Sequence, residues 1–374
     1  MKRYKSVDAI RGLCMIIMIV GHLLHWWLTP ADHWLYDLLK SIIGPLGASG
    51  FLFISGVSAE LSYKKRRTQS KETDMKFLRN IYLFRALLLL IIAFIYNMAI
   101  AIVINDLTWI WAWFVLQTVG FSLLLAWPFL KTSKTFRIII GTFVLIINYY
   151  FLWLLSPYNG QANIYGVCYH ILFNPLELYP ILPYFSIFIF GTVIGDKLHN
   201  INKINDQKER KIAFKKRFLV PLIIIGFILI VFSIIFYFPS FLLCYTFSAM
   251  VYSLGIIFVL LAILIWVEEF NLIKIVKSHR FFYFYSYYSF TIFLAHNPLY
   301  FLFLEKLNII TIWIGIFIAL VFLTILLRFI YKKLGAKASL KILISVISFK
   351  IALKIEERKK IKQDYYLEEK EIFV

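Results

Sequence analysis

SVDAIRGLCMIIMIVGHLLHWWL, residues 6–28, is apolar throughout apart from Ser6, Asp8, Arg11, His22 and His25. A run of this length reads as a membrane-crossing helix, which takes about 20 apolar residues. Arg11 and His22 are eleven positions apart. That is about three turns, so both project from one face, about 16 Å apart along the axis. His25 follows His22 by three residues and shares the face. A titratable stripe inside a bilayer is expensive and by default marks a functional path. The plainer alternative is an Arg11 that snorkels to the headgroups and histidines that only pack. Asp8, three residues before Arg11, is spaced to pair with it, or serves only as an acidic residue at a helix start.

The rest of the chain is of the same kind. Of 374 residues, 61% are hydrophobic and 19% aromatic, more than a water-soluble domain of this length hides. The expected fold is all-α, a polytopic bundle of about ten transmembrane helices, since only helices satisfy their backbone in lipid here. The candidate spans are 8–27, 42–63, 78–104, 107–130, 136–155, 180–198, 218–238, 241–267, 281–304 and 308–331. The first run lacks a small-residue cleavage site and reaches Trp26 and Trp27, so it reads as a retained span. Residues 1–335 read as one transmembrane domain and 336–374 as a basic tail. In the tail, ASLKILISVISFKIALKIEERKK (338–360) is too short in its apolar part to span, and suggests an interfacial amphipathic helix.

Charge orients the bundle. With the N-terminus inside, only Lys40 and Lys306 of the 40 lysines and arginines lie outside. That asymmetry predicts cytosolic N- and C-termini in a multi-pass protein of the cell membrane. It also explains the net charge of +20 as a membrane-adjacent collar, attractive to anionic lipid, with no nucleic-acid partner expected. Cys14, Cys168 and Cys244 have no metal-ligand spacing, so no metal is expected. Cys168 and Cys244 both fall near the outer face, where unlinked thiols are favoured over a bridge.

Polar groups inside the spans are few. GPLGASGFLFISGVSAELS (44–62) carries a stripe of small residues, suited to close helix packing and secondarily to a substrate's approach. TPADHWLYDLLK (29–40) gathers His33, Asp32, Tyr36 and Asp37 outside, a mixture that fits a sugar or an ordinary interfacial belt. Gln117 stands in WFVLQTVGFSLL, and Ser289 and His296 share a face in FYSYYSFTIFLAHNPL (284–299). His22, His25 and His296 all fall in the outward halves of their helices. Each alone suits an interhelical hydrogen bond; together they suggest a site.

Five stretches resemble one family. RYKSVDAIRGLCMIIMIVGH (3–22) is similar to the opening of membrane acetyltransferases of the heparan-alpha-glucosaminide N-acetyltransferase type. FLFISGVSAELS (51–62), VLQTVG (115–120), NPLELYPILPYFSIFIFGTVIGD (174–196) and SFTIFLAHNPL (289–299) resemble its later segments in order. The related acyltransferase-3 superfamily carries an arginine and a histidine at the spacing of Arg11 and His22. The heparan-type enzymes usually have asparagine at the position of His22 and a functional histidine in the next outer loop, where His33 is the nearest match. This chain mixes both patterns.

The resemblance implies acetyl transfer from cytosolic acetyl-coenzyme A to an extracytoplasmic sugar or glycan acceptor. His22, His33 and His296 are then the catalytic candidates, in that order. Arg11, Arg79, Arg85 and Gln117 are candidates for holding the donor, with Asp8 and His25 in support. A histidine near the outer end would deprotonate the acceptor or carry the acyl group. O- and N-acylation both remain open, and a homodimer is compatible with such a chain. The principal rival is a transporter or flippase for a glycan or lipid precursor, against which no matching pair of interrupted helices is evident. A membrane scaffold without chemistry is the third reading.

Overall fold

The computed structural model describes residues 4–69, 74–174, 178–238, 240–243, 246–272 and 278–372. The helices are α1 (Lys5–Trp27), α2 (Trp34–Gln69), α3 (Asp74–Ile104), α4 (Val115–Ala126), α5 (Lys134–Leu155), α6 (Ile164–Phe173) and α7 (Ile181–Asn202). They continue with α8 (Gln207–Phe214), α9 (Val220–Phe236), α10 (Phe247–Glu269), α11 (Ser278–Tyr287), α12 (Ser289–Ala295), α13 (Thr311–Lys333) and α14 (Leu340–Ile372). Among the described residues nine helical segments are long and apolar enough to cross a membrane, so the all-α polytopic bundle is observed. A π-turn over Lys215–Leu219 joins α8 to α9.

The ninth expected span, 281–304, is divided differently. It is the run α11–α12, bent at Tyr288 and ended at Ala295, followed by a 3-10 turn over Asn297–Phe301. Pro298 has no N–H to offer and disfavours helical geometry at Asn297, so the helix stops before it. The fourth span is likewise short as α-helix. A 3-10 turn over Leu107–Trp111 precedes α4, started by Asp106, whose carboxylate accepts from Thr108 N at 2.9 Å. That bond and the Thr108 hydroxyl hold the Asp106 carboxyl below its usual range. The tail is helical, and its Ile344 and Ala352 are buried, with Phe349 against Phe77 at a ring distance of 5.7 Å. Cys168 is a free thiol, and Cys244 lies outside the described residues.

Glycines set the tightest helix crossings. A Cβ on Gly56 of α2 would collide with the Phe188 carbonyl of α7, and one on Gly191 of α7 with the Phe53 carbonyl of α2. Gly226 and Gly255 face each other's carbonyl oxygens in the same way between α9 and α10. Without a hydrophobic drive between helices in lipid, this close backbone approach supplies the packing.

Both ends of α1 are held by other elements. At its start, no side chain of its own caps the free N–H groups. Glu268 of α10 takes the place of a cap, accepting from Lys5 N at 3.0 Å, Ser6 N at 2.7 Å and the Ser6 hydroxyl. A carboxylate there also meets the positive end of the helix dipole. At its other end, Glu305 N donates to Trp26 O at 2.9 Å and Leu307 N to Trp27 O at 2.8 Å. The segment after α12 is thereby fixed against the end of α1, which brings His296 beside His22.

A network of ion pairs links three further helices. Arg137 lies 3.0 Å from Glu60, and Asp196 is flanked by Lys64 at 2.9 Å and Lys134 at 3.2 Å. This network ties α2, α5 and α7 together at the end where the basic loops lie. Breaking one partner would leave a buried charge without compensation.

Candidate active site

At the basic end of the bundle, α1, α2, α3, α4, α12 and α14 surround a cavity of about 290 Å³. Four cations line it: Arg11, Arg66, Arg85 and Lys341. Arg11 is fixed from three helices. Its Nη1 donates to Asp8 Oδ1 and to Ser286 Oγ, each at 3.1 Å, and its Nη2 donates to Ser58 Oγ. Lys341 of α14 donates to the Ser286 carbonyl at 2.7 Å. Among the described residues no carboxylate pairs with Arg85.

Beyond it, along α1 toward the opposite end, lies a second cavity of about 380 Å³. Its walls are Met15, Met18, Val20, Ile43 and Met250, with His22, Tyr36 and Lys40 at the end away from the basic loops; it is called the outer cavity and the cation-lined one the inner. Phe51 of α2 and Phe290 of α12 line both cavities, with ring centroids 6.0 Å apart. The two cavities thus meet at one aromatic pair, with Arg11 on one side and His22 on the other.

The hydrogen bonds around His296 fix a tautomer. Its Nδ1 lies 2.7 Å from the Phe293 carbonyl and 3.2 Å from the Ile292 carbonyl. Carbonyl oxygens only accept, so this nitrogen carries the proton and Nε2 carries a lone pair. His22 Nδ1 lies 2.6 Å from that Nε2 and must be the donor. The remaining nitrogen, His22 Nε2, is therefore left with an unprotonated lone pair. Trp26 packs over both rings, 4.9 Å from His22 and 5.7 Å from His296. The arrangement is one imidazole with a second imidazole and a backbone carbonyl behind it, hydrogen bonds that hold His22 in a single tautomer.

His25 and His33 form a separate pair. His25 Nδ1 and His33 Nε2 are 3.1 Å apart, and Tyr36 lies 4.8 and 5.0 Å from the two rings. With Trp26, Tyr300 and Glu305 they line a cleft of about 380 Å³ at the end away from the basic loops. So His25 does not join His22, despite the shared sequence face: it turns to the α1–α2 connection.

The expected donor residues divide as well. Arg11 and Arg85 meet in the inner cavity, and Asp8 pairs with Arg11. Arg79 is exposed on α3 and does not line that cavity. Gln117 is wholly buried, accepting from Asn97 Nδ2 at 2.8 Å, and lines neither cavity. Sequence reasoning missed Arg66, Lys341, Phe51 and Phe290. Arg66 sits in a basic run that suits orientation alone, Lys341 in a tail that suits the membrane surface, and two phenylalanines in a chain with 37 carry no signal.

The small-residue stripe divides between tight packing and open space. Gly56 is packed, whereas Gly44 and Gly47 line the outer cavity with no atom nearer than 3.7 Å to an added Cβ, and Gly21 of α1 has none within 4 Å.

Comparison with known proteins follows the same stretch of chain. No curated protein matches it. The family model for the heparan-alpha-glucosaminide N-acetyltransferase catalytic region matches residues 3–238, which include Arg11, His22, His33, Phe51, Arg66 and Arg85. Covering more than half of the sequence, that match shows that the chain belongs to the heparan-alpha-glucosaminide N-acetyltransferase catalytic family of membrane acetyltransferases.

Proposed function

We propose that the chain transfers an acetyl group from acetyl-coenzyme A, held at a cytosolic basic face, to the amine or hydroxyl of a sugar presented from the opposite side of the cell membrane. One observation carries this reading: a cation-lined cavity and a histidine-bearing cavity meet at the Phe51–Phe290 pair. Arg66, Arg85 and Lys341 suit the donor's phosphates, as guanidinium and ammonium groups bind phosphate by charge-assisted hydrogen bonds. The two rings, 6.0 Å apart, are in contact, so a slim pantetheine arm reaches His22 once they swing aside. The axial separation of Arg11 and His22, about 16 Å, is within its extended reach.

At the thioester, His22 Nε2 takes the proton of the acceptor amine or hydroxyl as its nitrogen or oxygen attacks the carbonyl carbon. The C–S bond breaks, and the sulfur leaves with the proton returned from His22. His296 is a positioning residue that keeps the His22 lone pair turned to the cavity. The same lone pair would serve if the acetyl group rested on His22 before transfer. The test is turnover of acetyl-coenzyme A with a glucosamine acceptor, compared at matched thermal stability. His22→Gln is expected to lose about 10² to 10⁴ in rate. If it keeps about a tenth or more while His33→Gln loses activity, the role belongs to the outer pair.

A further inference from the structure

We propose that the acceptor is a sugar carried on a lipid, whose hydrocarbon tail occupies the bilayer-facing side of the outer cavity, by Ile43 and Trp313, and leaves the Phe51–Phe290 side to the thioester. The proposal rests on the transfer reading above only for placing the sugar at His22. The cavity itself is the first argument. It follows α1 from Cys14 to Leu24, about 15 Å of helix. Along that length it is lined by methionine, isoleucine, valine and leucine side chains, with Tyr36 and Lys40 toward the outward end. A bare sugar among those walls would lose water at each hydroxyl and gain few partners. A chain of methylenes needs none.

The second argument is access. Ile43 and Trp313 line the cavity and are 36% and 46% exposed, both within spanning helices. On spanning helices such side chains face lipid, Ile43 nine residues into α2 and Trp313 two residues into α13, near the interface. A tail can therefore enter sideways from the bilayer, while its polar head stays outward beside His22 and Tyr36.

The third argument is how the space is made. Gly21, Gly44 and Gly47 leave it open, with no neighbouring atom nearer than 3.7 Å to an added Cβ. Elsewhere in this chain the glycines of spanning helices serve close contact, as Gly56, Gly191 and Gly226 do. Here the missing side chains leave a volume instead.

The experiment measures binding of methyl, octyl and dodecyl glucosaminide to the full chain in lipid nanodiscs by calorimetry, with partition into empty nanodiscs subtracted. Burial of successive methylenes in the cavity predicts affinity rising about tenfold or more from methyl to dodecyl. Gly47→Leu fills the cavity and is expected to reduce that rise, read as a ratio within the variant, to about threefold or less. Gly47→Ala, whose Cβ meets only Ile17 at 3.7 Å, is a milder filler that reports in the same direction if the leucine variant does not fold. Equal affinity across the series in the parent overturns the proposal, as does an unchanged rise in the filled variants. Transfer from acetyl-coenzyme A to the same acceptors is followed in parallel. Chain-length-dependent binding without transfer would count against the acetyl-transfer reading and leave the lipid site standing.

Discussion

His22 Nδ1 stands 2.6 Å from His296 Nε2, joining the first spanning helix to a residue 274 positions later. Because His296 spends its other nitrogen on the Phe293 carbonyl, it can only accept from His22. Glutamine at 296 can still offer an acceptor oxygen; leucine cannot. His296→Gln is therefore expected to retain more kcat than His296→Leu at matched folding, with KM for acetyl-coenzyme A unchanged in both. Equal rates in the two variants would mean that His296 only fills space.

Arg85 lines the inner cavity without a carboxylate partner among the described residues, so its loss should act on the donor more than on the fold. One charge-assisted hydrogen bond is worth about 1.5–3 kcal/mol. Arg85→Ala is expected to raise KM for acetyl-coenzyme A by about tenfold or more. Arg11→Ala should also lower thermal stability, since Arg11 holds Asp8, Ser58 and Ser286 together. Calorimetry with acetyl-coenzyme A and thermal melts of the two variants separate binding from folding.

The Phe51–Phe290 pair is the partition between the cavities. Widening it with Phe51→Leu and Phe290→Leu is expected to admit water to the thioester, raising acetyl-coenzyme A hydrolysis relative to transfer. Phe51→Trp should slow transfer while leaving donor binding intact. An unchanged ratio of hydrolysis to transfer in the widened protein would show that the rings do not separate the two spaces.

The glycines offer a contrast within one helix. Gly56→Ala drives a methyl into the Phe188 carbonyl, whereas Gly47→Ala meets only Ile17 at 3.7 Å. Overpacking of this kind typically costs about 1–3 kcal/mol. Thermal unfolding should therefore show Gly56→Ala clearly below the parent and Gly47→Ala near it.

Much of the fold is legible in the sequence because bilayer thickness fixes span length and leaves only helices. The exception is instructive: 281–304 has the composition of one span, and Pro298 ends it early. Of the site, the pairing of Asp8 with Arg11 follows from i, i+3 spacing. The meeting of His22 with His296 does not, since it depends on how the segment after α12 is fixed to the carbonyls of Trp26 and Trp27. His25 shares the sequence face of His22 yet pairs with His33, because the α1–α2 connection folds back over it. Periodicity cannot report a neighbour supplied by another element. Gln117 shows the converse: a polar residue in a span whose partner is Asn97 of the adjacent helix rather than a ligand.

The central claim is that donor and acceptor meet at His22 from opposite sides of the membrane. It is tested most directly in sealed proteoliposomes holding the protein in one known orientation, with labelled acetyl-coenzyme A added at the basic face and a glucosamine acceptor enclosed on the other side. The account predicts labelled acetylated acceptor inside the vesicles, lost in His22→Gln. Product formed only when both substrates share one side, or formed equally by His22→Gln, would contradict it.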